Sequence, residues 1–89
     1  IRQFEIDSRR GPKFHKTLAD IEFSLGQPEL SNISMAEYFF ELGDLPSAIT
    51  QLRIATGSGK LSNYHRLKAT ARLQQLEGKL ADRLDERKK

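Results

Sequence analysis

Met35-Ala36-Glu37-Tyr38-Phe39-Phe40-Glu41-Leu42-Gly43-Asp44-Leu45-Pro46-Ser47-Ala48-Ile49-Thr50-Gln51-Leu52-Arg53-Ile54-Ala55-Thr56-Gly57 reads as two helices and the turn between them. Its apolar residues recur at three- and four-residue spacings with almost no period-2 alternation, a pattern that belongs to amphipathic helices and not to strands. Gly43 supplies the left-handed residue that ends the first helix. Asp44, with Ser47 three positions on, is a natural N-cap for the second. Leu45, Ala48, Ile49, Leu52 and Ala55 then carry that helix to the Gly57-Ser58-Gly59 loop.

Working outward, Pro28 opens the first of these two helices, and Ile33, Met35, Ala36, Phe39, Phe40 and Leu42 cover two of its sides. Toward the N-terminus, Gly11-Pro12 is a breaker with Pro at a first helical position. Phe14, Leu18, Ile21 and Leu25 after it make one apolar stripe that stops at Gly26. Toward the C-terminus, Ser62 can cap a longer helix running through Tyr64, Leu67, Ala71, Leu73, Leu76, Leu80 and Leu84. Gly78 costs about 1 kcal/mol relative to Ala inside a helix, so order is expected to weaken beyond it. Residues 1–10 show no clear period. The prediction is an all-α chain of about four helices, with short loops making neighbours antiparallel. Residues 1–11 form a lead, 12–80 the helical domain and 81–89 a charged tail.

Shifting the chain on itself by 17 places sets Leu18-Ala19-Asp20 over Met35-Ala36-Glu37, Phe23 over Phe40, and Leu25-Gly26 over Leu42-Gly43. Seventeen residues make one helix and a tight turn, half of the 34-residue tetratricopeptide (TPR) period. Stacked hairpins need small residues where helices cross and Gly at the turn. A repeat started at Glu29 meets those demands at TPR spacing: Ala36 at its eighth place, Phe39 at the eleventh, Gly43 at the fifteenth, Ala48 at the twentieth, Leu52 at the twenty-fourth and Ala55 at the twenty-seventh. It departs from the pattern at Asn32, where Trp is common, and at Lys60, where Pro is usual. The fourth helix, with Leu73 falling 34 residues after Phe39, then serves as a capping helix.

The 89 residues bound the chain to one small core. No apolar run approaches the roughly 20 residues of a membrane span, and with no cysteine there is no disulfide framework or thiolate metal site. The first residue is Ile1 with no apolar signal segment after it, so the sequence reads as an excised domain or a processed product. The formal charge of +3 is divided along the chain: residues 17–56 carry six carboxylates against Arg53 alone, whereas 57–89 carry nine Lys or Arg against four acids. That acidic middle argues against nucleic-acid binding, which needs a continuous basic face.

The Met35 to Leu45 block, with Leu18-Ala19-Asp20 after His15, Ala48-Ile49, Gln51-Leu52, Ala71-Arg72-Leu73 and Leu76-Glu77, resembles the C-terminal TPR region of the β-barrel assembly-enhancing protease family. The similarity covers roughly residues 14–80. The resemblance implies a periplasmic location, a parent that is a zinc endopeptidase, and a part in outer-membrane protein quality control. Its implied partners are outer-membrane β-barrel proteins, their assembly machinery or the parent's own protease domain. The family's HExxH motif is absent from this chain. No catalytic or zinc-ligating residue carries over, and zinc is expected only in the protease domain.

The residues themselves point the same way on chemistry. His15 and His65 stand fifty positions apart without a second ligand at helical spacing, so a zinc site is not expected, nor a cofactor of any other kind. Gly57-Ser58-Gly59-Lys60 lacks the spacing of a phosphate-binding loop and reads as a turn. The expected activity is protein or peptide docking without catalysis, in a groove formed by Ile33, Glu37, Phe40, Glu41, Tyr64, Leu67 and Gln74. The chain is expected to be monomeric. Two rivals are a generic TPR adaptor and a self-associating module in which the Leu73, Leu76, Leu80, Leu84 seam pairs with its copy.

Overall fold

The computed structural model describes residues 12–88, with the backbone alone for 86–88. The lead expected over residues 1–11 lies outside the described residues. Those described form four helices and no strand: α1 (Pro12–Ser24), α2 (Pro28–Glu41), α3 (Leu45–Gly57) and α4 (Asn63–Lys88). Each helix packs against its neighbours in sequence, and the short connections make successive helices antiparallel. The chain is therefore a stack of helical hairpins, as expected. Its smallest extent of 20 Å is about two helix diameters.

The first two turns close in the same way, seventeen residues apart. Gly26 (φ +78°) and Gly43 (φ +82°) take the left-handed conformation. Around the first, Gly26 N–H donates to the Phe23 carbonyl and Gln27 N–H to that of Glu22; around the second, Gly43 N–H donates to Phe40 and Asp44 N–H to Phe39, all at 2.9–3.0 Å. These paired bonds satisfy carbonyls that a helix end otherwise leaves bare. Asp44 Oδ1 then accepts from Ser47 N–H at 3.1 Å, capping α3, and Ser62 Oγ accepts from His65 N–H at 3.3 Å, capping α4.

The core lies where α2, α3 and α4 meet. Ala36, Leu45, Ala48, Ile49, Leu52, Ala69 and Leu76 form one buried cluster, with Ile33, Phe39, Phe40, Leu61, Leu73 and Leu80 packed on it. Ala36, Ala48 and Ala55 have no exposed surface. Residues without side-chain bulk at these points let helix axes approach to about 8–10 Å.

The contact between α1 and α2 has another character. Its buried residues are Ala19, Ser31 and Ser34, and both serines bond across the seam. Ser31 Oγ donates to the Ala19 carbonyl at 2.7 Å, and Ser34 Oγ to Glu22 Oε1 at 2.6 Å. Buried hydroxyls need partners, and α1 supplies them by turning its Ala19–Glu22 side toward α2. The C-terminal half of the apolar stripe of α1 points elsewhere: Ile21 is 50% and Leu25 69% exposed, while Phe14 and Leu18 are half-buried.

Two further expectations are corrected by α4. The helix passes through Gly78 without a break and reaches Lys88, so residues 81–88 continue the helix instead of forming a separate tail. Beyond residue 80, Arg83 Nη1 donates to the Gly43 carbonyl at 3.4 Å, tying this part to the turn between α2 and α3. A helix of 26 residues absorbs the modest propensity penalty of one glycine. The leucine seam proposed for self-pairing is occupied over three of its four members: Leu76 is fully buried, and Leu73 and Leu80 pack on the core, whereas Leu84 is 46% exposed.

Candidate protein-binding cleft

Between α2 and α4, with Glu22 of α1 at its edge, lies an open cleft of about 580 Å³. One wall is α2, through Leu30, Ile33, Ser34 and Glu37; the other is α4, through His65, Lys68, Ala69, Ala71, Arg72 and Gln75. Leu30, Ile33 and Ala69 make it apolar at the centre, and charged groups stand around them. That combination orients a bound segment while burying part of it.

The charged groups are held in place. Arg72 Nε donates to Glu37 Oε2 at 2.8 Å and Nη2 to Oε1 at 2.9 Å, a two-bond fork joining α4 to α2. Its Nη1 donates to Gln75 Oε1 at 2.7 Å, and its guanidinium carbon lies 4.6 Å from the centre of the Phe40 ring. Each partner of the ion pair is 25% exposed. Planar guanidinium suits both the forked carboxylate bond and the stacking. Glu22, held by Ser34, presents a second carboxylate at the edge. On the α4 side, Lys68 Nζ lies 5.2 Å from the Tyr64 ring centre, and His65 meets the same ring edge-on at 5.3 Å.

Of the residues expected in the groove, Ile33 and Glu37 line the cleft. Phe40 is adjacent but lies beneath Arg72 and packs on the core. Glu41 is exposed near the end of α2, outside the lining. Tyr64 and Leu67 are 64% and 67% exposed, Gln74 is also exposed, and none of the three is among the residues lining the cleft. The wall uses His65, Lys68 and Gln75, each one position further along. Tyr64 shares the stripe 64, 68, 71, 75 with the wall and stands one turn before Lys68. The stripe Ala69, Leu73, Leu76, Leu80, spaced four, three and four, is the side laid on the core. Glu22 and Ser34 left no comparable signal, because their pairing depends on how α1 sits against α2.

Among the described residues no helix is long and apolar enough to cross a membrane. His15 lies on α1, edge-on to Phe14 at 5.4 Å, and His65 on α4, so the histidines occupy separate elements. No protein-family model matches the chain, and no curated protein or solved structure matches it.

Proposed function

We propose that the chain is a non-catalytic protein-interaction module of the tetratricopeptide type, taking an extended or helical segment of another protein into the cleft between α2 and α4. The observation that carries this reading is the Glu37–Arg72 fork, stacked on Phe40 beside an apolar floor. Groups already held in position lose little further freedom when a ligand binds, so more of the contact energy is retained. The repeated glycine turns and the buried alanines at helix crossings support the tetratricopeptide assignment.

By its resemblance, the chain belongs to the docking part of a periplasmic zinc endopeptidase that acts in outer-membrane protein quality control. Its partner in that reading is an outer-membrane β-barrel protein in a non-native state. Bond cleavage and zinc belong to the parent's protease domain, and this chain contributes recognition.

The test is a titration of the isotopically labelled chain with an unfolded outer-membrane β-barrel protein, followed by amide chemical shifts. The reading expects shifts concentrated at Ile33, Glu37, Lys68, Ala69 and Gln75, and weaker binding for Lys68→Glu with unchanged helicity. Shifts confined to other surfaces would displace the cleft, and no shifts at all would remove this class of partner.

A further inference from the structure

Two charges in the cleft have no opposite charge bonded to them. Arg72 compensates Glu37, but Glu22 and Lys68 are in none of the ion pairs among the described residues. Glu22 Oε1 accepts the Ser34 hydroxyl at 2.6 Å, a neutral donor that fixes the carboxylate without cancelling its charge. Lys68 Nζ lies over the Tyr64 ring at 5.2 Å, a contact that likewise leaves its charge uncompensated.

These two groups stand level, on opposite edges of the cleft. Successive helices alternate in direction, so α2 and α4 run the same way. One turn back from the Glu37–Arg72 fork, Ser34 comes opposite Lys68 and Ala69, and Ser34 holds Glu22 at that height. The apolar floor of Leu30, Ile33 and Ala69 therefore has a carboxylate on its α1 edge and an ammonium on its α4 edge. An occupant that covers the floor strips water from both charges. Covering the half-buried Glu22 is unfavourable unless the occupant brings a cation to it, and the converse holds for Lys68.

We infer that the cleft recognises an amphipathic helix of another protein, its apolar stripe edged by Lys or Arg on one side and by Asp or Glu on the other. An extended segment sends alternate side chains to opposite faces, so it serves the floor but not both edges. A helix turns about 100° per residue and offers three adjoining sides, one for the floor and one for each edge. The charges also fix direction: turning such a helix end for end exchanges its edges, and only one direction matches Glu22 and Lys68. The inference rests on reading the cleft as a docking site, and not on which protein supplies the helix.

Three synthetic peptides of about four turns, sharing one leucine stripe, test it against the full chain. The first carries Lys along one edge and Glu along the other, the second exchanges those edges, and the third has Gln on both. Affinity is read by fluorescence anisotropy and the place of binding by amide shifts. Each charged peptide should bind about tenfold more tightly than the Gln-edged one, two partly exposed ion pairs supplying about threefold each. Glu22→Gln, which keeps an acceptor for Ser34, should weaken the charged peptides about threefold and leave the Gln-edged peptide unchanged. Lys68→Gln should do the same. A spin label on the peptide N-terminus should broaden amides near His65 for one charged peptide and near Gln75 for the other, because their directions are opposite. Equal affinity of charged and Gln-edged peptides, a single direction for both charged ones, or an ineffective Glu22→Gln overturns the inference, while shifts at the cleft still uphold docking there. No shifts at the cleft with any of the three overturns the inference together with the docking of helical segments.

Discussion

Removing the Arg72 guanidinium would break a contact that joins the two walls of the cleft. The pair has two bonds of 2.8 and 2.9 Å and each side chain is 25% exposed, so it lies between a solvated ion pair and a buried one. Exposed pairs contribute about 0.2–1 kcal/mol; forked geometry and partial burial place this coupling near the upper end, about 1 kcal/mol. Loss of the stacking on Phe40 adds about 0.5–1 kcal/mol. Arg72→Ala is thus expected to destabilise by about 1.5–2 kcal/mol, and Glu37→Gln by about 1 kcal/mol. In a domain of this size 1 kcal/mol corresponds to about 4–8 °C in Tm. Urea unfolding of wild type, Glu37→Gln, Arg72→Ala and the double variant closes a cycle that isolates the coupling. Arg72→Lys, which keeps the charge and loses the fork, should recover less than half of the loss. A coupling below about 0.3 kcal/mol, the usual additivity error, would refute the claim that the fork helps hold α4 against α2.

Two glycines should respond with opposite sign. Gly43 has φ +82° with no atom within 4 Å of an added Cβ, so Gly43→Ala meets backbone strain alone and should lose about 1–2 kcal/mol. Gly78, also in open space but in the body of α4, should gain about 1 kcal/mol as Ala; thermal melts of the two variants check both directions. Leu76 is fully buried within the core cluster, and Leu76→Ala should lose about 2–5 kcal/mol in denaturant unfolding.

Helix positions and turns were largely legible in the sequence because their causes are local. Gly26 and Gly43 stand where left-handed residues close the turns, Asp44 and Ser62 where side-chain oxygens accept the first free amides. Ala36, Ala48 and Ala55 were also legible as crossing points, since only small residues tolerate close backbones. Of the residues that line the cleft, the sequence pattern singled out Ile33 and Glu37. Ile33 and Glu37 lie on α2, whose phase is constrained by a neighbour on either side; on α4 the apolar stripe marks the side laid on the core, but which other side faces α2 follows from how the helix crosses the stack.

What the amino-acid order determined unaided was the number of helices, the sites of their turns and the all-α class, because capping, glycine conformation and a 3.6-residue period act over a few neighbouring residues. The tertiary structure decided which side of α1 is buried. Ser31 and Ser34 required acceptors, so α1 presented the Ala19 carbonyl and Glu22 and left Ile21 and Leu25 in solvent. That choice depends on hydrogen bonds between residues twelve positions apart, and a local apolar pattern carries no information about them.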